Sequence, residues 1–258
     1  MGELLPRIGC VPYLNARPLI EGISFPISEM VPSKLWDAYV AGCFDVALLS
    51  SIDVISIPNG QVVDDVAIAS RGDVHSVFLA FTGELLSIDR VRLDASSHTS
   101  NALLRIILGE FHGIHPEYIY FRHSIPIPET FSLPTLVIGD PAIVYRKELR
   151  DPKVQFLDLG GEWYKKTGLP FVYALWAFNN EYTKKKYLSL ELRKAKKQGL
   201  SNLDGIAEKS SDPLFTLRYL SKWISYEFGE NEKRGLDLFG DYLRGMNIIS
   251  LKNKLSYW

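Results

Sequence analysis

The sequence has little of what usually marks a metal centre or a disulfide scaffold: 258 residues hold two cysteines and five histidines. Cys10 and Cys43 cannot supply a disulfide framework or a zinc knuckle. Both are expected in apolar surroundings, where free cysteine packs as a small hydrophobe. His112 and His115 stand three apart, but Gly113 lies between them and no acidic ligand pattern accompanies them, so no metal is assigned. No stretch approaches the ~18 apolar residues of a membrane-spanning helix. The start, Met1 to Arg7, lacks a basic segment followed by an apolar run, so no secretory leader is expected and the chain is placed in the cytoplasm.

Charge of one sign is missing as well. The net charge of −1 gives no overall field to recruit nucleic acid or an anionic membrane, and neither is expected as a partner. The distribution is uneven, with 15 Lys and Arg against 10 Asp and Glu over residues 181–258, clustered at Lys184–Lys186 and Arg193–Lys197. Leu188, Leu192 and Ala195 recur at helical spacing between those charges, the pattern of a solvated helix face. No aromatic residues interleave with the lysines as a nucleic-acid surface would need. Also lacking are a glycine-rich dinucleotide fingerprint, a Walker-type phosphate loop and a Gly-Ser-Gly nucleophile elbow. No cofactor is expected.

What remains is an ordinary globular composition, 47% hydrophobic and 23% charged, enough for one large domain or two modest ones. Arg7–Val11 reads as a strand ending at Pro12, and Ile27–Val31 as a second. Ser33 is expected to cap a helix over Leu35 to Tyr39 that Gly42 stops. Asp45–Leu49 is apolar after its first residue, as in a strand buried on both faces. Val62–Ala69, Ser76–Phe81, Val91–Leu93, Tyr118–Phe121, Leu136–Ile138, Val154–Leu157 and Phe171–Phe178 continue the strand series, with a helix over Asn101–Gly109. This alternation predicts an α/β fold with mixed, mostly parallel sheets flanked by helices. The C-terminal segment is helical: Asp212-Pro213 starts one helix with Leu217, Leu220 and Ile224 on its apolar stripe. Leu236, Phe239 and Leu243 mark a last one stopped by Gly245. Because the first unit is left near Gly83 and re-entered at the Phe171–Phe178 strand, two lobes are expected, 1–82 with 178–258 and 83–177, with a ligand cleft between them.

Polar residues at strand ends are the candidates for that cleft, since open α/β sheets bind ligands there. Asn15 sits at a sharp turn after the first strand and offers a donor and an acceptor, unless it serves the turn alone. Ser51 follows the third strand and Ser76 opens the fifth. Asp94–Ser100 carries four hydroxyls, Ser96, Ser97, Thr99 and Ser100, at the start of a helix. One hydroxyl is enough for a cap, so the excess, with the free N–H groups and the helix dipole, points to a carboxylate or phosphate site that includes Ser97, His98, Thr99 and Ser100. Asp140 follows another strand end, as a helix cap or a proton-handling group.

Taken together, these segments resemble the chorismate dehydratase family of the futalosine route to menaquinone. The resemblance rests on Val11–Leu19, Asp45–Ile52, Ile68–Gly72 with Ser76-Val77, Ser96–Leu104 and Ile138–Asp140. It extends through Asp158–Gly160, Glu162-Trp163 and the long specific stretch Thr167–Trp176, in order over about residues 8–178. It implies a two-lobed type II periplasmic-binding-protein-like fold used as a hydro-lyase that converts chorismate to 3-[(1-carboxyvinyl)oxy]benzoate, the first step of that route. It further implies that Asn15 is a key active-site group, here read as catalytic, and that the serine/threonine turn holds a substrate carboxylate; the chain is expected to be a monomer or homodimer. The sequence departs from the family pattern at His98, where arginine is expected, at Ser50, where proline is usual, and at Pro141, where a small residue is usual. A protonated His98 would stand in for the missing fixed charge. Two other readings share the scaffold: a non-catalytic small-anion receptor or sensor, and an enzyme acting on another cyclic acid.

Overall fold

The computed structural model describes residues 5–121, 133–149, 151–250 and 253–258. In chain order the strands are β1 (Ile8–Cys10), β2 (Ile27–Glu29), β3 (Val46–Ser50), β4 (Gln61–Ser70), β5 (Val77–Thr82) and β6 (Arg90–Asp94). They continue with β7 (Glu117–Phe121), β8 (Thr135–Ile138), β9 (Val154–Asp158), β10 (Phe171–Phe178) and β11 (Ser256–Tyr257). The helices are α1 (Arg17–Ile20), α2 (Pro32–Val40), α3 (Ser51–Ser56), α4 (His98–Ile106) and α5 (Gly139–Glu148). After them come α6 (Leu159–Thr167), α7 (Lys185–Ser201), α8 (Leu203–Glu208), α9 (Pro213–Arg218) and α10 (Glu230–Gly245).

The strands form two mixed sheets, one ordered β11-β4-β10-β3-β1-β2 and the other β7-β6-β8-β5-β9. Strand β3 is buried on both faces, as its unbroken Val46–Leu49 run requires. Each sheet carries one strand antiparallel to both of its neighbours: β10 against β3 and β4, and β5 against β8 and β9. These two strands follow the points where the chain changes sheet, so the changes fall in residues 71–76 and, through α6, between β9 and β10. The division expected at 82/83 and 177/178 therefore runs one strand late at both ends, because β5 belongs to the second sheet and β10 to the first.

The two crossings lie against each other. Asp158 accepts from the Val74 and His75 N–H groups of the first crossing at 3.0 and 2.8 Å, and caps α6 through Gly161 N at 3.1 Å. Gly160 is packed so tightly there that a Cβ would meet Ser70 Oγ and Tyr173 Oη at 2.6 Å and the Gly72 carbonyl at 2.7 Å. Helix α10 then packs on β10, α3 and α4, spanning both sheets. Its Phe239 and Tyr242 join Trp163, Phe171 and Phe111 in a cluster of edge-to-face and tilted rings.

Several local expectations shift. Helix α2 starts on Val31 with Pro32 in its first turn, so Ser33 lies inside the helix, and Cys43 is exposed while Cys10 is buried. Helix α4 begins at His98, inside the stretch read as a turn, and runs on into a π-helical segment at Ile107–Phe111. Asp212 caps α9 through Phe215 N with Pro213 in the first turn, as its sequence signals.

Candidate active site

Asn15 stands in a short 3-10 turn, Leu14–Ala16, between β1 and α1. Proline at 12 and at 18 restricts the backbone on both sides of it. The Tyr226 hydroxyl donates to the Asn15 carbonyl at 3.0 Å, which fixes the backbone from the C-terminal segment. The preceding N–H, of Leu14, donates to the Asp140 carboxylate at 3.1 and 3.3 Å. Asp140 lies in the first turn of α5, on the second sheet, so this bond ties Asn15's turn across to the other unit. Burial raises the Asp140 carboxyl above its ordinary value, with the Leu14 hydrogen bond and Arg17 working against that rise.

Asn15 opens onto a pocket whose wall is drawn from both sheets. The first sheet supplies Val11, Tyr13, Leu48, Ser50, Ile68, Tyr173 and Ala174; the second supplies Val77, Ile138 and Gly139, with Ser97, Thr99 and Ser100 at the head of α4. Val74 and Ser76, on the first crossing, and Pro32 complete it. Ser97 is the N-cap of α4 yet makes no side-chain cap bond, so its hydroxyl is not committed to the helix. Gly139 adopts a φ of +67°, and a Cβ there would meet the Tyr13 ring at 3.2 Å. Among the described residues no side chain on this wall carries a formal charge. Its two phenols are held protonated: burial pushes Tyr13 up to about 12 and Tyr173 well above its ordinary value.

Five of the eight residues singled out from the sequence meet here: Asn15, Ser76, Ser97, Thr99 and Ser100. The other three face elsewhere. Ser51 is fully buried and donates to the Val172 carbonyl at 2.6 Å, pinning the start of α3 to β10, while its neighbour Ser50 lines the pocket. Asp140 is the Leu14 acceptor. His98 turns away from the pocket: its Nδ1 lies 2.8 Å from Asp53 Oδ1, and it borders a separate surface groove with Trp36, Arg105 and Tyr120. A residue at a helix's first position points back along the axis, and here that direction leads to α3.

His98, outside the pocket, and Thr99, on its wall, are also joints between the two units. Thr99 Oγ1 accepts from Ile52 N at 3.0 Å, satisfying an orphan N–H in the first turn of α3 from the opposite sheet. Asp53 accepts both His98 and Ser50 Oγ, the latter at 2.6 Å. With Asp140–Leu14, these make three hydrogen-bonded contacts between the units.

Sequence reasoning missed Tyr13, Tyr173 and Tyr219. Tyr173 sits in a strand apolar enough to read as plain core, and Tyr219 falls on a helical stripe with the same bland reading. Tyr219 is 1% exposed and donates to Ser76 Oγ at 2.8 Å.

Comparison with known proteins places the chain in a family. A family model described as menaquinone biosynthesis matches residues 6–244. The chain is 31% identical over 261 residues to a chorismate dehydratase of Thermus thermophilus, covering 92% of this chain and 94% of the relative. It is 25% identical over 240 residues to a chorismate dehydratase of Campylobacter jejuni, covering 92% of each. Among solved structures, a protein from Archaeoglobus fulgidus superposes with a TM-score of 0.76 at 15% identity, covering 95% of this chain and 98% of the other. The alkanesulfonate-binding protein of Xanthomonas axonopodis bound to MOPS superposes at 0.65 and 12% identity, covering 98% of both chains. The fold is thus that of the periplasmic binding proteins.

Proposed function

The chain belongs to the menaquinone-biosynthesis family, and on that premise we propose that it is a hydro-lyase that dehydrates chorismate to 3-[(1-carboxyvinyl)oxy]benzoate. The observation that carries the proposal is the pocket itself, where Asn15 and the hydroxyls of Ser76, Ser97, Thr99 and Ser100 converge from different elements on one uncharged wall.

The reaction suits that inventory. A hydroxyl leaves one ring carbon and a proton leaves its neighbour; the electrons of the C–H bond become the new ring π bond, and water departs. Aromaticity supplies the driving force, so the protein has to orient the substrate and exclude bulk water more than provide a strong nucleophile. Among the described residues the lining holds no carboxylate or imidazole to act as base, and its phenols stay protonated. The substrate's own enolpyruvyl carboxylate is therefore the proton acceptor in this reading, with Asn15 orienting the ring relative to it. A substrate carboxylate is received by the uncommitted hydroxyls and backbone N–H groups at the head of α4, where the helix dipole favours an anion. His98 takes no direct part.

The two lobes of this reading follow the sheets, meeting at residues 71–76 and between β9 and β10. All the groups named come from one chain, so a monomer is sufficient, and the substrate is a small metabolite of the cytoplasm. Incubating the purified protein with chorismate and following it by mass spectrometry tests the proposal. Loss of one water with appearance of the aromatic ether is expected. Chorismate that binds but is recovered intact would identify a receptor on the same fold and overturn it.

A further inference from the structure

We propose that Tyr13 is a further catalytic residue, the acid whose phenol donates to the hydroxyl that leaves the substrate ring. The proposal rests on the chorismate dehydratase reading of this pocket and deepens it.

The elimination needs a donor that the substrate's own carboxylate does not replace at the moment of bond breaking. The leaving hydroxyl carries one hydrogen and departs as water only when it gains a second. The enolpyruvyl carboxylate takes the ring proton, the C–H electrons become the new π bond, and the C–O electrons leave with the oxygen. A neighbouring acid gives its proton to that oxygen, and the carboxylic acid just formed returns one to the acid. The protein ends unchanged, and the products are water and the aromatic ether.

Four phenols of the molecule spend their hydrogens inside the protein. Tyr39 donates to the Phe178 carbonyl at 2.7 Å, Tyr219 to Ser76 Oγ at 2.8 Å and Tyr226 to the Asn15 carbonyl at 3.0 Å. Ser70 Oγ donates to the Gly72 carbonyl at 3.1 Å, and a hydroxyl has one hydrogen, so Tyr173, 3.0 Å from Ser70 Oγ, donates to it. Tyr13 is the exception. Among the described residues its hydroxyl has no hydrogen-bond partner, yet it is open to solvent on the pocket wall. Its ring is nevertheless held. It lies against Gly139 of the other unit, where a Cβ would meet it at 3.2 Å. Its carbonyl accepts from Ala16 N at 3.0 Å, and the next N–H, of Leu14, donates to Asp140 at 3.1 Å. A fixed phenol with an uncommitted hydrogen is a donor kept for a ligand.

The ligand group follows from what else is taken. One substrate carboxylate goes to the head of α4, and the enolpyruvyl carboxylate faces the ring proton, so the ring hydroxyl is the polar group left to receive this donor. Ser50 Oγ, also on the wall, already donates to Asp53 at 2.6 Å. Burial pushes the Tyr13 phenol up to about 12. At that value it cannot serve as a base, but it remains a stronger acid than the water that forms, at ~15.7. The aliphatic hydroxyls of Ser76 and Thr99 have no such advantage.

The test compares wild type with Tyr13→Phe, which keeps the ring on Gly139, and reads two ligands. One is chorismate, followed by turnover; the other is the product, 3-[(1-carboxyvinyl)oxy]benzoate, which lacks the ring hydroxyl and is followed by calorimetric titration. Tyr13→Phe is expected to lower kcat for chorismate at least tenfold while the Kd for the product stays within threefold of wild type. A smaller loss of kcat would overturn the proposal. So would a product Kd weakened more than threefold, which would place the phenol on a carboxylate or in the packing of the wall. A wild-type chain with no dehydratase activity would reject the underlying reading instead, an outcome distinct from either of these.

Discussion

Asp53 is 7% exposed and accepts from Ser50, the N-cap of its own helix, and from His98 of the other unit. Its hydrogen bond raises the His98 imidazole above its ordinary value, outweighing burial, with Asp37 adding to the rise. Arg105 borders the same groove from α4. A raised value in the joined state means that the contact is fully present below His98's ordinary pKa of about 6.5 and is lost as pH rises through the raised value. The KM for chorismate is expected to climb through that window in the wild type and to stay flat across it in His98→Ala, measured as a KM-against-pH profile. Thr99 offers a simpler case. Thr99→Val removes the acceptor of Ile52 N and leaves that N–H without a partner, at a cost of about 1–3 kcal/mol, read as a lowered midpoint in denaturant unfolding. His98 also shows how far the residue scale was legible. Its place in a polar helix start singled it out, but no sequence pattern says that a first-turn side chain will lean back onto α3, because its partner Asp53 is 45 positions away.

At the scale of elements, the strands were the most legible part, since β3, β5 and β10 each carry apolar runs that match their buried courses. Short helices were not: α3 holds too few residues to display a helical period, α5 bunches its apolar residues at Ala142–Tyr145 instead of spacing them along one face, and α6 opens with Gly160 and Gly161. Those glycines read as loop, yet Gly160 is where α6 closes on Ser70 and Tyr173 behind the pocket. Gly160→Ala is expected to overpack this contact by about 1–3 kcal/mol, measured as a loss of thermal stability together with reduced turnover. Helix α10 makes a complementary prediction. Glu232, 1% exposed, accepts from Gly229 N at 3.1 Å and pairs with Arg71 at 2.8 Å, tying the helix start to the end of β4. Glu232→Ala removes this cap, worth about 0.5–2 kcal/mol, and should lower Tm by roughly 2–4 °C per kcal/mol lost. An unchanged Tm would show that neither the cap nor the ion pair holds the helix start.

For the whole molecule, what matters is that two sheets, each completed by a strand arriving from the other side, enclose one pocket that neither could form alone. The sequence announced departure and return, but not their positions, because β5 and β10 carry ordinary core patterns and only long-range pairing assigns each to its sheet. Five of the pocket's polar residues were legible as surplus donors and acceptors at strand ends and at a helix start. Its tyrosines were not, because an aromatic residue in an apolar run looks the same whether its hydroxyl is structural or functional. The central claim is that this shared pocket acts through Asn15, and it is tested most directly by turnover and affinity measured side by side for chorismate in wild type and Asn15→Ala. Loss of a positioned polar group should lower kcat by about 10²-fold or more while chorismate still binds within a few-fold of wild type. Unchanged turnover in Asn15→Ala would contradict it.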